Sequence, residues 1–260
     1  MGRIKFDVVT VGAGVMGLSI AKELAIKGLR AGVIDRDEPG KHASYKAGGM
    51  LGAQNEFSHD TPLFRLAQAS REYFRPLSDE LLETTGIDIQ YRETGLIKMA
   101  DCSEDDESLR KQFNFLNIHN NEVKLLDKSE VLQRGNQFIR PNDHLTMHIP
   151  DDGQVNANKY TRALTASAVN NGVTRIGHTE VMSIHRTGQS YRLKTSRGDD
   201  IQAAKVIVTA GAWSQTLLEP FRVNSFVTGV KGEIMLLEQP DIQLEDTLFM
   251  TNGCYIIPKQ

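Results

Sequence analysis

The sequence has little cysteine, no marked excess of either charge and no long apolar run. Its 260 residues include two cysteines, which are too few for a disulfide framework and lack metal-ligand spacing. The net charge of −3 and the pI of about 6.2 give no indication of a nucleic-acid or membrane-surface partner. No apolar run approaches the roughly 20 residues of a membrane-spanning helix. These features, with no signal-peptide pattern before the first strand, predict a soluble cytoplasmic protein without a bound metal.

The first 35 residues carry the main motif. A predicted strand over Asp7–Val11 runs into the turn Gly12–Gly17, with the sequence G-A-G-V-M-G. A helix pattern then continues to about Lys27, and a second strand, Ala31–Ile34, ends at Asp35. The order of strand, glycine turn, helix, strand and acid is typical of a dinucleotide-binding unit.

Each residue type in this motif has a physical role. Gly12 allows the tight turn, Gly14 lets a pyrophosphate approach the backbone, and Gly17 lets the helix pack closely. The helix N-terminus offers free N–H groups to the phosphates. Asp35 can accept hydrogen bonds from ribose hydroxyls and repel a 2′-phosphate. The alternative is an ordinary strand–turn–helix unit with three glycines, and the motif does not distinguish NAD from FAD.

A second glycine-dense segment, Pro39–Ala53, follows the acid and has no clear period. We interpret it as a loop and short helix over the cofactor, with Ala43 and Ser44 near phosphate and Gly48 to Met50 near a ring. A flexible loop is the alternative.

The middle of the chain mixes short strands and helices without regular alternation, which predicts an inserted α+β domain. We expect a helix from Pro62 to about Thr84, a strand pair within Tyr91–Ala100, a helix capped by Ser103 and reaching Leu116, a strand at Lys124–Leu126, and a helix capped by Ser129 and reaching Arg134.

The remaining pattern returns to a longer helix and more strands. We expect a helix ending at Asn170, one strand running through Val173–Ile176 and His178–Ile184, a hairpin around Arg197–Asp199, a strand from Lys205 that is buried on both faces, and strands within Val227–Leu237 and Gly253–Pro258.

Six segments, in order, resemble the FAD-dependent amino-acid oxidases related to D-amino-acid oxidase and sarcosine oxidase, and in particular the glycine oxidases. The glycine turn is common to many flavoproteins, whereas G-M-L-G-A, V-K-G-E and C-Y-I-I-P are specific in combination. The segments are Gly12–Gly17, Asp35, Ala47–Ala53, Val206–Ser214, Val230–Glu233 and Cys254–Lys259.

The resemblance implies an α/β fold in which a Rossmann-like FAD-binding domain carries a substrate domain built on an antiparallel sheet. We assign 1–86 and 150–222 to the FAD-binding domain, and 87–149 and 223–260 to the substrate domain, which we expect to be incomplete at the C-terminus. It also implies non-covalent FAD and oxidation of glycine, sarcosine or small D-amino acids to the imine, with dioxygen reduced to hydrogen peroxide. In the family this imine supplies thiazole synthesis for thiamine, and relatives are often homo-oligomers.

The resemblance also implies roles for individual residues. It places cofactor contacts on the pyrophosphate turn, the ribose site, the phosphate and flavin segments and the adenine-facing backbone, and substrate positioning on Tyr255. The implied cofactor-binding residues are Gly12, Gly14, Val15, Met16, Gly17, Asp35, Arg36, Ala43, Ser44, Gly48, Gly49, Met50 and Val181.

Two departures from the family pattern stand out. Gly253 occupies a position where glycine oxidases can carry histidine, two residues before Tyr255. The chain also ends at Gln260, shortly after a strand at Ile256–Ile257, whereas family members continue with the arginine that binds the substrate carboxylate. We therefore expect part of a longer protein whose last strand lacks a partner, with a complete natural short form as the alternative.

Hydride transfer to a flavin requires positioning and desolvation more than acid–base groups. Tyr255 is the candidate for holding the substrate carboxylate, with a packing aromatic as its alternative. Met50 is the candidate for the flavin face, with an ordinary core methionine as its alternative. We expect Trp213 to pack in the core. Three functions stay open: an amino-acid oxidase, a related flavin dehydrogenase, and a truncated, inactive dinucleotide-binding module.

Overall fold

The computed structural model describes residues 4–135, 139–223, 227–238 and 244–259, so Gln260 lies outside the described residues. The chain forms two compact units. The first contains Met1–Ala47, Leu81–Asp88 and Ala157–Ile234, and the second contains Gly48–Glu80, Ile89–Asn156 and Met235–Gln260. The predicted domains divide the chain differently, since the second unit takes 48–80 and the first takes 223–234. The assignment of one domain to FAD binding and of the other to the substrate stays a prediction.

The strands, numbered in chain order, are β1 Ile4–Val11, β2 Ala31–Ile34, β3 Met50–Leu51, β4 Leu96–Met99, β5 Lys124–Leu126, β6 Thr146–Ile149, β7 Gly153–Gln154, β8 Thr174–Ile176, β9 Val181–Thr187, β10 Ser190–Thr195, β11 Asp200–Val208, β12 Thr247–Met250 and β13 Tyr255–Ile256.

The α-helices are α1 Val15–Ile26, α2 Ala43–Lys46, α3 Pro62–Thr85, α4 Ser103–His119, α5 Lys128–Gly135, α6 Ala157–Asn170 and α7 Ser214–Leu218. Short 3₁₀ turns over Gly211–Trp213 and Glu219–Phe221 flank α7. Among the described residues, no helix combines the length and apolar character that crossing a bilayer requires.

The first unit is built on a six-stranded sheet with the order β8-β2-β1-β11-β10-β9. The strands β8, β2, β1 and β11 are parallel, and the hairpin β10–β9 extends the sheet in antiparallel fashion. Helix α6 packs on α1 and α2. The four residues of β2 are all buried, as expected for an inner parallel strand. This arrangement confirms the predicted Rossmann-like α/β class.

Strand β11 is less buried than the sequence predicts. The pairing of β11 with β10 ends at Ala203, opposite Tyr191, whereas its pairing with β1 continues to Val208. The last residues of β11 therefore have a strand neighbour on one side only, and Val206, Ile207 and Val208 are half-buried.

The second unit contains a five-stranded mixed sheet with the order β13-β12-β4-β6-β5, and a separate ribbon of β3 and β7. Apolar side chains on the sheet form two clusters, one around Met147 and Ile149 with α4, and one around Ile97 and Leu248 with α5. Within the sheet β12 is parallel to β4, and the other pairs are antiparallel.

Several local predictions were wrong. The single strand expected over 173–184 is two strands at opposite edges of the sheet, because His178 adopts a positive φ of 51° and turns the chain. No strand pair forms within 91–100, where Arg92 bridges Gln154 and only β4 is a strand. Residues 227–238 form no strand.

The predicted caps and the terminal strand also need correction. Ser103 and Ser129 lie inside their helices, and at α5 it is the Asp127 carboxylate that accepts the Glu130 N–H at 2.9 Å. The strand expected over 253–258 is only β13, and it is paired: Ile256 lies opposite Leu248 in β12.

Candidate cofactor site

The turn after β1 requires glycine at Gly12. Gly12 has a φ of +106°, which side-chain-bearing residues rarely adopt, and a Cβ there would lie 2.4 Å from the carbonyl oxygen of Thr209. The Thr209 hydroxyl donates to the carbonyl oxygens of Val11 and Gly12, at 3.0 and 2.9 Å. The end of β11 therefore holds the turn in place.

Gly17 allows α1 to pack against the same turn. A Cβ on Gly17 would lie 1.9 Å from the carbonyl oxygen of Gly12, so a larger residue would push the helix away. The predicted role of Gly17 in close helix packing is consistent with this geometry. Gly14 is the N-cap of α1 and supplies no capping side chain, and the first turn of the helix contains no acidic residue. No residue of the first turn of α1 therefore neutralises the partial positive charge at this helix end.

The tertiary structure brings the second glycine-dense segment to this helix end. Helix α2 includes Ala43 and Ser44, and the Ser44 hydroxyl accepts the backbone N–H of Val15 at 3.1 Å. A Cβ on Gly14 would meet the Ser44 Oγ at 3.0 Å. Ser44 therefore lies at the N-terminus of α1, where the sequence predicts phosphate. Met16 is 72% exposed, so only its backbone belongs to the turn.

Asp35 follows β2 directly and faces the glycine turn. One carboxylate oxygen accepts the backbone N–H of Ala13 at 2.7 Å, and the other accepts the N–H of Asp37 at 3.0 Å. An ionised carboxylate has about four acceptor positions, so capacity remains for two ribose hydroxyls. The geometry supports the predicted ribose role of Asp35.

Arg36 stacks on Trp213. The guanidinium carbon lies 4.0 Å from the centre of the indole ring, and its Nε lies 3.4 Å from an Asp37 carboxylate oxygen. Trp213 is 53% exposed, so the prediction of a core tryptophan was wrong. The residue lies on a 3₁₀ turn after β11 and forms an exposed cation–π pair instead. One face of the Arg36 guanidinium therefore contacts Trp213, and its positive charge is paired with the Asp37 carboxylate.

The predicted adenine segment lies beside the same acid. The backbone N–H of Thr179 donates to the Asp35 carbonyl at 2.8 Å, and that of His178 donates to the Asp37 carbonyl at 3.1 Å. Val181 begins β9 two residues later and is buried. The first unit thus groups the pyrophosphate turn, Ser44, the acid and the predicted adenine segment.

Asp35, Asp37 and His42 each bring one ligand-type atom within 4.8 Å of the others. The bonds already described explain this proximity, because His42 Nε2 lies 2.6 Å from Asp37 and Asp35 binds backbone N–H groups. The cluster therefore gives no support to a metal site, and the predicted lack of a metal stays a prediction.

In the second unit Met50 begins the β3–β7 ribbon, and Gly48 and Gly49 lie directly before it. Gly49 has a φ of +83° and its carbonyl accepts the Val155 N–H at 2.8 Å, while Met50 lies opposite Gln154. Met50 is half-buried and therefore neither a fully packed core methionine nor a freely exposed one.

Tyr255 contacts the start of this segment. A Cβ placed on Gly48 would lie 3.3 Å from Tyr255 Cε2, 3.7 Å from its hydroxyl oxygen and 2.5 Å from Ile257 Cδ1. On its other side the Tyr255 ring is stacked on Phe249, with ring centres 6.3 Å apart and planes 7° apart. The structure thus places the predicted substrate residue against a predicted flavin residue within one unit.

Two charged groups near this segment were missed by the sequence reasoning. Lys259 donates to Gln154 Oε1 at 2.9 Å and to the Val155 carbonyl at 2.8 Å, and burial lowers its pKa to about 8. Asp152 accepts the backbone N–H groups of Gln54 and Asn55, and burial raises its pKa to about 6. Neither residue has a sequence signature, because their burial results from long-range contacts.

The comparisons with known proteins agree with this geometry. The profile of the family described as FAD dependent oxidoreductase matches residues 7–260. The chain is 37% identical to a glycine oxidase of Geobacillus kaustophilus over 98% of its own length and 67% of that protein. The crystal structure of the glycine oxidase from that organism superposes with a TM-score of 0.94, covering 98% of this chain and 69% of that one. A bifunctional ThiO/ThiG protein of Trichormus variabilis is 29% identical over 98% of this chain and 38% of its own length.

The glycine turn, the helix N-terminus and the acid after β2 define a dinucleotide-binding protein of the Rossmann type. The family match is more specific. This chain belongs to the FAD-dependent oxidoreductase family, and its cofactor is FAD.

The residues of the first unit fit the ADP part of FAD. A Cβ on Gly14 would meet Ser44 Oγ first, the first turn of α1 contains no acidic residue, and Asp35 keeps acceptor capacity. A pyrophosphate and a ribose need these three properties.

Proposed function

We propose that this protein is an FAD-dependent amino-acid oxidase that oxidises glycine, and also sarcosine and small D-amino acids, to the imine while dioxygen is reduced to hydrogen peroxide. The names of the similar glycine oxidases support the substrate class. The similarity to a bifunctional ThiO/ThiG protein supports a role in supplying the imine to thiazole synthesis.

The observation that carries the proposal is the contact between Tyr255 and Gly48. The Tyr255 hydroxyl oxygen lies 3.7 Å from the position that a Cβ would take on Gly48 in the predicted flavin segment, and Tyr255 is 38% exposed. A partly exposed phenol is a suitable donor to a small carboxylate. This geometry favours a positioning role over that of a buried packing aromatic.

FAD, when bound, would supply the acceptor for the hydride from the amine Cα, and this hydride carries both electrons of the oxidation. The chain's own residues bind and orient. Asp35 and the α1 N-terminus hold the ADP part, Gly48, Gly49 and Met50 approach the flavin, and Tyr255 holds the substrate carboxylate. Such a reaction needs the Cα–H at near-attack distance and a neutral amine, and it requires no dedicated acid–base pair.

The test is oxygen consumption by the purified, FAD-loaded enzyme. With glycine and with sarcosine we expect the enzyme to consume oxygen and to release one hydrogen peroxide for each oxygen consumed. With glycolic acid, which lacks the amine, we expect no oxygen consumption. Oxidation of glycine with an artificial acceptor but without oxygen uptake would identify a dehydrogenase and refute the oxidase. Failure to retain FAD on titration would identify an inactive module.

The thiazole role has a separate test. Expression of the protein in a bacterium that lacks its glycine oxidase should restore growth without thiamine, and a variant with Tyr255→Ala should not. Growth that still depends on thiamine, in cells containing active enzyme, would remove this part of the proposal.

A further inference from the structure

A row of three residues crosses the sheet of the second unit beside the proposed substrate residue. Lys98 in β4 lies opposite Phe249 in β12, and Phe249 lies opposite Tyr255 in β13. Residues directly opposite each other on neighbouring strands project from the same face of a sheet. Lys98, Phe249 and Tyr255 are therefore consecutive side chains on one face.

The three side chains are in contact. The Lys98 ammonium lies 5.4 Å from the centre of the Phe249 ring, within the range of a cation–π interaction. Phe249 in turn is stacked in parallel with Tyr255, with ring centres 6.3 Å apart. A displacement of the Lys98 ammonium would change the surface against which the Phe249 ring packs. A shift of the Phe249 ring would in turn change the position of the Tyr255 ring that is stacked on it.

The position of the Lys98 ammonium is itself determined by hydrogen bonds. It donates to the Asn55 carbonyl at 3.1 Å and to Gln112 Oε1 at 2.9 Å. The Gln112 amide donates to the carbonyls of Asn55 and Phe57, at 2.7 and 2.9 Å. Gln112 is buried, so these bonds join β4, α4 and the loop before α3 in one network.

Lys98 is a partly buried cation. Within the described part of the chain, no carboxylate lies within 4.0 Å of its ammonium, although Glu56 and Asp152 are near enough to influence it. Burial lowers the pKa of Lys98. A buried ammonium is often no more stabilising than a well-packed apolar side chain, so a functional role would account for a lysine at this position.

We propose that Lys98 is a positioning residue for amino-acid oxidation, which fixes the Tyr255 ring through Phe249 so that the Tyr255 hydroxyl meets the substrate carboxylate. The inference rests on the proposed function of Tyr255. Lys98 acts on binding of the carboxylate and contributes nothing to the oxidation step itself, so its loss affects KM rather than kcat.

The test is a set of variants in the FAD-loaded enzyme. Lys98→Met keeps the apolar stem and removes the charge, and we expect the KM for glycine to rise about tenfold with kcat within about twofold of wild type. Lys98→Arg restores a cation and should recover most of the affinity. The matched control is Lys124→Met, an exposed lysine in β5 of the same sheet, which should change neither constant.

A double-mutant cycle tests the path through Phe249. Phe249→Leu leaves the hydrogen bonds of Lys98 intact, and alone it should raise the KM for glycine by a similar factor. Adding Lys98→Met to Phe249→Leu should then change KM by less than about twofold, because the coupling surface is already gone. Independent, multiplying effects of the two substitutions would overturn the proposal, as would an equal loss in Lys98→Arg.

A spectroscopic measurement separates this inference from the proposed function. The near-ultraviolet circular dichroism of an enzyme minus that of the same enzyme with Tyr255→Phe isolates the signal of the stacked tyrosine. We expect this difference to be smaller in Lys98→Met than in wild type, and to be unchanged in Lys124→Met. If Lys98→Met reduces the dichroism difference but the enzyme oxidises no amino acid, the proposed reaction is refuted and the positioning of the Tyr255 ring by Lys98 is supported. An unchanged difference and an unchanged KM in an active oxidase refute the role of Lys98 alone.

Discussion

The Asp35 carboxylate accepts the backbone N–H of Ala13 at 2.7 Å, which ties the end of β2 to the glycine turn after β1. The same carboxylate accepts the N–H of Asp37. A single acid thus shapes the turn and keeps free acceptor positions, so we expect its charge to affect cofactor affinity in two ways.

Asp35→Asn should weaken FAD binding about tenfold, the equivalent of about 1.4 kcal/mol, because hydrogen bonds to a charged acceptor are lost or reversed. Quenching of flavin fluorescence on titration into apoprotein measures the change. Glu219→Gln, at an exposed acid in the same unit, is the control and should leave the dissociation constant unchanged. Equal affinities of Asp35→Asn and wild type would remove Asp35 from the cofactor site.

Gly17→Ala should destabilise the fold by about 3 kcal/mol or more, because its methyl group would overlap the Gly12 carbonyl oxygen and this contact cannot relax without moving α1. Chemical denaturation monitored by circular dichroism gives the difference. Gly232→Ala adds the same methyl group where no atom lies within 4 Å, and it should be neutral. A Gly17→Ala variant as stable as Gly232→Ala would contradict the close packing.

Tyr255→Phe should raise the KM for glycine about tenfold while the bound FAD content stays the same, because only the hydroxyl that holds the carboxylate is removed. Steady-state oxygen consumption measures KM, and visible absorbance measures FAD content. Tyr73→Phe removes a hydroxyl from an exposed tyrosine of α3 and should have no effect. A Tyr255→Phe variant with wild-type KM would make Tyr255 a packing residue.

Asp152 should make stability depend on pH between its unfolded and folded pKa values, 3.8 and about 6. Below this range both states are protonated and above it both are ionised, but within it the folded state keeps a proton that the unfolded state has lost. Its contribution to the free energy of unfolding therefore falls as pH rises from 4 to 6, by at most about 3 kcal/mol.

Urea unfolding of wild type and Asp152→Asn at pH 4 to 7 measures this dependence. The stability difference, wild type minus Asp152→Asn, should fall over the interval and then level off. Asp79→Asn, at an exposed acid in α3, should give a difference that does not fall. A wild-type advantage that grows with pH would show that the hydrogen bonds from Gln54 and Asn55 outweigh the burial of Asp152.

The first 35 residues illustrate what could be predicted. The glycine spacing and the acid after the second strand describe one short segment whose folding is local, and the structure places Gly12, Gly17 and Asp35 in the expected geometry. The predictions for 91–100 and 227–238 failed, because short apolar runs form strands only where a partner strand offers its edge.

Trp213 and Thr209 show why the rest could not be predicted. Both follow the same apolar strand and no local pattern distinguishes them, yet Thr209 clamps the glycine turn and Trp213 lies exposed under Arg36. Their partners are distant in the sequence. Contacts of this kind follow from strand order and register, which a residue pattern does not specify.

The sequence by itself determined the α/β class, the dinucleotide turn and the family, because turn chemistry and hydrophobic period are properties of neighbouring residues. Only the tertiary structure decided that Ser44 meets the N-terminus of α1, that Tyr255 contacts Gly48, and that the partly buried Lys98 lies two strands from Tyr255. Those arrangements depend on which strands pair and in what register, and the pairing is determined by the burial of side chains throughout the unit.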